Sequence, residues 1–112
     1  MHTVLVTGAT SFIGRHLINV LLHDNYVFGI IRPNSLRRNM LLQNPRLSII
    51  ETSMDAYDML PDIIGKIHHV DTFIHLAWNG TRGNLRNDKK LQEHNLSCSL
   101  NALQSAVALG KR

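Results

Sequence analysis

The segment TGATSFIG, residues 7–14, follows the apolar run VLV at residues 4–6 and precedes the helix-patterned residues 15–22. A strand that runs through a glycine-marked turn into a helix is typical of a phosphate-binding site, because the first N–H groups of a helix lack partners and the helix dipole is positive there. Gly8 allows the turn an unusual φ, and Gly14 allows the helix to pack closely on the strand. The segment therefore predicts an anion-binding site at the start of the first helix.

Spacing within this segment narrows the choice of anion. A nucleoside-triphosphate P-loop needs Gly-x-x-x-x-Gly-Lys-Ser/Thr, whereas Ile13 stands five residues after Gly8. The strict dinucleotide fingerprint Gly-x-Gly-x-x-Gly is also absent, and the chain has Gly8-x-x-Ser11-x-x-Gly14 instead. A dinucleotide is the favoured ligand, and the alternative is an ordinary strand-to-helix turn whose glycines serve geometry alone.

Composition indicates one small globular domain. A length of 112 residues, with 44% hydrophobic and 18% charged residues, is typical of that class. No segment approaches the roughly 20 apolar residues of a membrane span, and residues 1–3 do not resemble a signal peptide. The single cysteine, Cys98, cannot form an internal disulfide, which agrees with a reducing compartment. We therefore expect a cytoplasmic protein with no membrane partner.

A net charge of +4 makes a nucleic-acid partner one alternative. The basic residues form two clusters: Arg32, Arg37, Arg38 and Arg46 lie between Asp24 and Glu51, and Arg82, Arg86, Lys89 and Lys90 surround Asp88. Neither cluster is interleaved with aromatic residues, so nucleic acid is not the favoured partner. The histidines, including the pair His68-His69, show no zinc-like grouping with cysteine or carboxylate, and we expect no metal.

Strand and helix patterns alternate along the whole chain. Short apolar runs predict strands at about 3–7, 26–31, 47–51 and 71–76, and helical patterns lie at about 12–23, 35–42, 55–66 and 85–109. The order βαβαβαβα predicts an α/β protein with a Rossmann-like, doubly wound parallel sheet of strand order 3-2-1-4. Pro61 should end, restart or kink the third helix, and Asp55 is expected to cap it.

Apolar stripes predict which helix faces are buried. The first helix carries a stripe of Phe12, Ile13, Leu17, Val20 and Leu21, and the last carries one of Leu96, Leu100, Leu103 and Val107. Both are spaced as core-facing residues of amphipathic helices are, and Gly110 is a natural stop for the last helix.

The turn resembles the Thr-Gly-x-x-Gly-x-x-Gly motif of the short-chain dehydrogenase/reductase superfamily. The following Phe12-Ile13-Gly14 resembles the extended branch, the NAD(P)-dependent sugar epimerase/dehydratase family. Ser11 replaces the middle glycine of that motif, and its hydroxyl can donate a hydrogen bond to the phosphate that the glycine would approach. The resemblance implies that the turn binds the cofactor through Gly8, Thr10, Ser11, Phe12, Ile13 and Gly14.

The residue that closes the second strand decides the cofactor in this fold, because the adenosine ribose lies beside it. This chain has Arg32 there, followed by Ser35, Arg37 and Arg38, with no acidic residue nearby. Arginine holds a phosphate through paired charge-assisted hydrogen bonds. NADP(H) is therefore favoured over NAD(H), and the alternative is a solvated arginine without a ligand.

The resemblance extends to the ends of the third and fourth strands. Ser53 stands where the family has an aspartate near the adenine, and Met54 stands at the apolar position that follows. Asp55 is an alternative carboxylate for the adenine, although the capping role is favoured. Leu76 and Ala77 match the family's His-Leu-Ala-Ala segment, whose backbone lines the cofactor. Trp78 departs from that segment and either forms a wall of the pocket or packs under the next loop.

Two polar residues belong to the same comparison. His75 lies inside an apolar strand and is interpreted as a hydrogen-bonded structural histidine, not a base. Asn95 matches an asparagine on the family's fourth helix that supports the active-site lysine, and the alternative is a solvated helix residue.

The family's catalytic pair is missing from these residues. Its chemistry uses Tyr-x-x-x-Lys, in which tyrosine moves a proton while nicotinamide moves a hydride. Four residues after Tyr26 and Tyr57 stand Ile30 and Pro61, so we assign no catalytic residue. We interpret residues 1–112 as the N-terminal part of a dinucleotide-binding domain, without the catalytic segment and substrate domain, and inert alone.

The resemblance then implies the cofactor half of a nucleotide-sugar epimerase, dehydratase or reductase. A nucleotide sugar would bind only in a full-length form, and family members are commonly homodimers through helices that include the fourth. The alternative function is a stand-alone NADP-sensing module without catalysis.

Overall fold

A computed structural model of the chain describes residues 1–41, 43–64, 69–78 and 86–110. Parts of three predicted helices lie outside these ranges, at residue 42, residues 65–66 and residue 85, as do His68 and Arg82. The described residues form, in order, β1 (His2–Thr7), α1 (Phe12–Leu21), β2 (Asn25–Ile31), β3 (Leu47–Glu51), α2 (Leu60–Ile64), β4 (Thr72–His75) and α3 (Lys89–Leu109). Two 3-10 helices, Arg38–Met40 and Met54–Met59, complete these elements.

The four strands form one parallel sheet in the order β3-β2-β1-β4, which confirms the predicted topology. Val4 of β1 is in register with Val27 of β2 on one side and with Thr72 of β4 on the other. Because all strands are parallel, their carboxyl ends meet at one edge of the sheet. The chain order reverses between β1 and β4, and ligands of doubly wound sheets bind outside such a switch point.

The core lies on both faces of the sheet, as expected for parallel strands. On one face, Val4 and Val6 of β1 pack in a cluster with Ile18 of α1. On the other face, Leu5 packs in a cluster with Leu60 of α2 and Cys98 of α3. Successive residues of β1 thus point to opposite layers, and β1 lies between two hydrophobic cores.

The predicted apolar stripe of α1 is largely wrong. Phe12, Ile13 and Val20 are 69%, 65% and 67% exposed, whereas the buried helix residues are Gly14 and Ile18. A Cβ at position 14 would collide with the carbonyl oxygen of Gly8. The start of α1 therefore packs onto the preceding turn through its smallest residue, and the bulkier neighbours are turned outwards.

The apolar stripe predicted to face the core on α3 is also exposed instead. Its four members, Leu96, Leu100, Leu103 and Val107, are all more than half exposed, and the buried residues are Asn95, Cys98, Ala102, Ser105 and Leu109. Small side chains on the buried face let α3 approach the 3-10 helix Met54–Met59 closely. Ser105 Oγ donates a buried hydrogen bond to the carbonyl oxygen of Tyr57 across this contact.

The helices after β2 and β3 differ from the sequence prediction in two ways. Of the helix predicted at 35–42, the structure contains the short 3-10 helix Arg38–Met40. The third predicted helix divides into a 3-10 helix and α2, which restarts next to Pro61 as predicted. Its cap is Ser53, whose Oγ accepts from the Asp55 N–H at 3.3 Å, and not Asp55.

The last helix begins and ends at standard capping residues. Asp88 caps its start, and Gly110 ends it as predicted. Within the described ranges, no helix combines the length and hydropathy needed to cross a membrane.

Substitutions on the buried face and on the exposed face of α3 should differ in their effect on the free energy of unfolding. Ala102 is 1% exposed and Leu103 is 61% exposed. We expect Ala102→Leu to lower the free energy of unfolding by about 1–3 kcal/mol, because extra methylenes overpack a filled core. At protein concentrations where the chain is monomeric, Leu103→Ala should change it by about 0.5 kcal/mol or less. Urea unfolding measures both, and a larger loss in Leu103→Ala would contradict the assignment of faces.

Candidate dinucleotide-binding site

The turn between β1 and α1 is held against the end of β4. Gly8 has a φ of +66°, and a Cβ there would lie 2.9 Å from the backbone of Leu76 and Ala77. A side chain at this position would be strained by its φ and would also clash. The predicted Gly8 and the predicted Leu76–Ala77 segment are therefore brought together, across the switch point of the sheet.

The start of α1 keeps free hydrogen-bond donors. Ser11 caps the helix, and its Oγ accepts from the Gly14 N–H at 3.0 Å. The N–H groups of Phe12 and Ile13 precede the first hydrogen bond of the helix, and the first turn has no acidic residue. The Ser11 hydroxyl hydrogen also stays available, since the oxygen acts as acceptor in the cap. With Thr10 half-buried in the same turn, this geometry suits an anion.

Thr7 fastens the ends of β1 and β4 together, a role that the sequence reasoning missed. Its buried hydroxyl oxygen accepts from the N–H groups of Leu76 at 3.0 Å and Ala77 at 3.3 Å. Its own proton is then directed to His75 Nδ1, 2.7 Å away. A hydroxyl residue at the end of a central strand, directly before a glycine turn, was the available signal.

His75 has a partner on each ring nitrogen, in agreement with its interpretation as structural. With Nδ1 accepting from Thr7, the proton is on Nε2, which lies 3.0 Å from Ser99 Oγ on α3. Burial lowers the pKa of His75 from its ordinary value of 6.5, which favours this neutral form. The side chain thus ties β4 to both neighbouring elements without a free lone pair for general-base chemistry.

Tyr57 lies buried beside His75. It is 2% exposed, and its ring packs edge-on against His75 with 5.8 Å between centroids. Burial raises the pKa of Tyr57 to about 12, against a smaller opposite effect of a hydrogen bond with Thr7. It therefore stays protonated near neutral pH.

The basic residues after β2 divide into two groups. Arg32, Ser35 and Arg37 line one concavity at the edge of the sheet, together with Pro33, Asn34 and Leu36. Ser35 Oγ accepts from the Arg37 N–H at 3.2 Å, which shapes the turn. Arg38 instead pairs with Glu51 at 2.8 Å. Exposed Arg32 and Arg37 are thus the cations that face this concavity.

The predicted adenine-side residues lie after β3. Ser53 has its oxygen engaged in capping, but it retains a hydroxyl hydrogen to donate. Met54 is only 7% exposed and belongs to the core cluster of Leu60 and Tyr57. Its side chain therefore packs mainly inside the protein, and little of it is left to contact a ligand ring. Asp55, left without a capping role, contacts His94 of α3 at 2.7 Å.

Trp78 and Asn95 are joined through Gln92, which the sequence reasoning also missed. Trp78 is 45% exposed, and its Nε1 donates to Gln92 Oε1 at 2.9 Å. Asn95 Nδ2 donates to the same oxygen at 3.2 Å. Asn95 is fully buried, so the alternative of a solvated helix residue is wrong. No local sequence signal links these three residues, because the contact exists only once α3 packs beside β4.

Removing the Thr7 hydroxyl should loosen the junction between β1 and β4. Thr7→Val leaves the Ala77 N–H and His75 Nδ1 without this partner, which we expect to cost about 1–3 kcal/mol of unfolding free energy. Thr7→Ser keeps the hydroxyl and should cost about 1 kcal/mol for the lost methyl group. Urea denaturation compares the two variants. An unchanged unfolding free energy in Thr7→Val would contradict the role of the hydroxyl.

The lowered pKa of His75 predicts a dependence of stability on pH. Below its ordinary pKa of 6.5 the unfolded chain binds more protons than the folded chain. The contribution of neutral His75 is thus complete above that pH and is lost as pH falls below it. Unfolding midpoints in urea should decrease less steeply with falling pH in His75→Gln than in the wild type. Identical pH profiles would contradict the prediction, since the other titrating groups are shared.

Comparison with known proteins shows the family that the chain resembles along most of its length. The model of the NAD dependent epimerase/dehydratase family matches residues 4–112. The Bordetella bronchiseptica enzyme WbmH, solved in complex with NAD+, is 26% identical, with a TM-score of 0.77, over 97% of this chain and 36% of that one. UDP-glucuronic acid 4-epimerase from Bacillus cereus, solved with NAD, is 26% identical, with a TM-score of 0.67, over 92% of this chain and 35% of that one.

The fold alone is shared with a third structure. UDP-glucose 4-epimerase from Thermotoga maritima, solved with UDP-glucose, is 24% identical, with a TM-score of 0.77, over 96% of this chain and 35% of that one. The chain thus spans about a third of the length of these structures, and no curated protein matches it. Because the family match extends over nearly every residue, the chain belongs to the NAD-dependent epimerase/dehydratase family.

Proposed function

We propose that this chain binds a nicotinamide dinucleotide, NADP(H) in preference to NAD(H), as the N-terminal part of a dinucleotide-binding domain. The observation that carries the proposal is the open start of α1. The N–H groups of Phe12 and Ile13, with the Ser11 hydroxyl, lie at the carboxyl edge of a parallel sheet where the chain order reverses. Pyrophosphate is the anion that such a helix start accommodates.

The remaining site residues fit one extended ligand. The backbone of Leu76 and Ala77 would form a second wall beside Gly8, and Thr10 and Gly14 complete the turn. Trp78 and Asn95, joined through Gln92, lie on the β4 side. Ser53 would meet the adenine at the end of β3, with Met54 packed in the core beneath it. The bound nicotinamide would supply reversible hydride transfer.

Selectivity for NADP(H) rests on Arg32 and Arg37. Both are exposed beside the concavity that follows β2, where the ribose of a bound dinucleotide would lie. The residues between Asp24 and Glu51 include no carboxylate, and Glu51 is paired with Arg38. A 2′-phosphate would therefore meet cations without a repelling charge. The alternative is NAD(H), the ligand of WbmH and of the Bacillus cereus epimerase.

Titration of the cofactors against Arg32→Ala tests this selectivity. We expect the variant to lose about tenfold or more in NADPH affinity, because a charge-assisted hydrogen bond is removed, with little change for NADH. Arg46→Ala is the matched control, since Arg46 Nη1 contacts the carbonyl oxygen of His23, away from the concavity. NADPH fluorescence gives both affinities. Unchanged NADPH binding in Arg32→Ala would contradict the role of Arg32.

We further propose that the enzyme to which this domain belongs acts on a nucleotide-activated sugar, as an epimerase, dehydratase or reductase. The support is the family membership and the UDP-sugar epimerases among the similar structures. Tyr-x-x-x-Lys is absent from these residues, so the chain alone should bind the dinucleotide without epimerising UDP-glucose. Turnover by these 112 residues would contradict the assignment of no catalytic residue.

Assembly and compartment complete the proposal. The exposed stripe Leu96, Leu100, Leu103 and Val107 of α3 would bury itself in a homodimer, as the family resemblance implies. Sedimentation that shows only monomers would contradict this. The reduced state of Cys98 suits the cytoplasm, and neither nucleic acid nor a membrane is proposed as a partner.

A further inference from the structure

Three side chains of different chemistry converge between the 3-10 helix Met54–Met59 and α3. His94 Nε2 lies 2.7 Å from Asp55 Oδ1 and 3.5 Å from Cys98 Sγ. All three potential ligand atoms are within 4.8 Å of one another. Asp55 and His94 are exposed, whereas Cys98 is buried, so the cluster opens to solvent on one side.

Two elements bring the cluster together. His94 and Cys98 are four residues apart on α3, a spacing that places both side chains on one face of a helix. Asp55 comes from the first turn of the 3-10 helix, which is held on α3 by the hydrogen bond between Ser105 and Tyr57. Sequence spacing predicted no metal site because Asp55 is remote from the other two residues along the chain.

The two polar contacts of the cluster share one ring nitrogen. Asp55 and Cys98 approach the same nitrogen, Nε2 of His94, which carries at most one proton. A nucleophile–base–acid relay would need its partners on opposite ring nitrogens, so this geometry is not a catalytic triad. A single cation placed among the three atoms would interact with all of them.

We propose that Asp55, His94 and Cys98 form a binding site for a borderline-soft divalent cation of the Zn²⁺ class. Thiolate, imidazole and carboxylate are the ligands that this class prefers, whereas Mg²⁺ and Ca²⁺ select oxygen. Tetrahedral zinc holds nitrogen and sulfur ligands about 3.6 Å apart by its usual bond lengths. The separation of 3.5 Å between His94 and Cys98 already meets this value.

Asp55 is the ligand that must move. Tetrahedral zinc requires about 3.4 Å between nitrogen and oxygen ligands, so the 2.7 Å contact with His94 has to widen. The Asp55 side chain is 68% exposed and can shift outwards. Three protein ligands leave a fourth position to water, which is the arrangement of an open zinc site.

Cobalt substitution tests the site, because Co²⁺ takes the place of Zn²⁺ and reports its ligands by absorption. Chain purified without a polyhistidine tag and without dinucleotide is titrated with CoCl₂. Cys98 is the single cysteine of the chain, so a thiolate-to-cobalt charge-transfer band reports this site. We expect that band, with tetrahedral visible bands, to saturate at one equivalent and to disappear on addition of ZnCl₂. Absence of the charge-transfer band at saturating cobalt would overturn the proposal.

Variants of the cluster distinguish the loss of a metal ligand from the loss of the fold. Cys98→Ser should abolish the charge-transfer band, and His94→Gln should weaken Zn²⁺ binding by about tenfold or more. Asp58→Asn and His23→Gln, which change an exposed carboxylate and an exposed histidine outside the cluster, should bind Zn²⁺ as the wild type does. Circular dichroism and NADPH binding confirm the fold of each variant. Folded His94→Gln that binds Zn²⁺ with wild-type affinity would also overturn the proposal.

Discussion

The hydroxyl of Thr7 holds the ends of β1 and β4 at a fixed separation, and the geometry of the candidate site follows from it. The N–H groups of Leu76 and Ala77 bond to the Thr7 hydroxyl, which brings their backbone close to position 8. Only a glycine fits at this position, where φ is positive. That conformation directs the chain into α1, whose first residue lies four positions later. A pair of ordinary hydrogen bonds thus sets the direction in which the N–H groups of the helix point.

Charge complements this geometry at the carboxyl edge of the sheet. The start of α1 is positive through its unpaired N–H groups, and Arg32 and Arg37 add two full charges next to β2. The pairing of Arg38 with Glu51 neutralises the carboxylate at the end of β3. The negative side chain of Asp55 is turned to His94 on α3. The edge that would meet a dinucleotide is therefore electropositive, without any exceptional net charge on the chain.

Sequence predicted the fold because its determinants are local. Alternating strand and helix patterns and the turn chemistry of Gly8 specify a parallel doubly wound sheet. The buried faces of the helices were predicted wrongly. In α3 the apolar spacing points to Leu100 and Leu103 as core residues, whereas the closely packed face holds the smaller residues Cys98 and Ala102. Large apolar residues are favoured in cores only where the elements are far enough apart to hold them. The distance between packed elements is set by the tertiary structure, so a local sequence pattern does not predict it.

The polar contacts of the site were less predictable than its backbone. Positions of the turn residues and of Arg32 follow from spacing along the chain. Hydrogen bonds link Thr7 to Ala77, and they link Trp78 through Gln92 to Asn95. These bonds join separate elements, and no periodicity of the sequence predicts them. Ser53 caps the 3-10 helix, and Asp55 contacts His94 of α3 instead, a contact between separate elements that local sequence does not predict.

The central position of β1 has an energetic consequence for recognition. Because this strand pairs on both sides and is buried under two cores, it can open only when most of the domain unfolds. The turn that begins at Gly8 is anchored directly to it. A ligand arriving there meets donors that are already in place, and so it loses little of its binding free energy to ordering the protein.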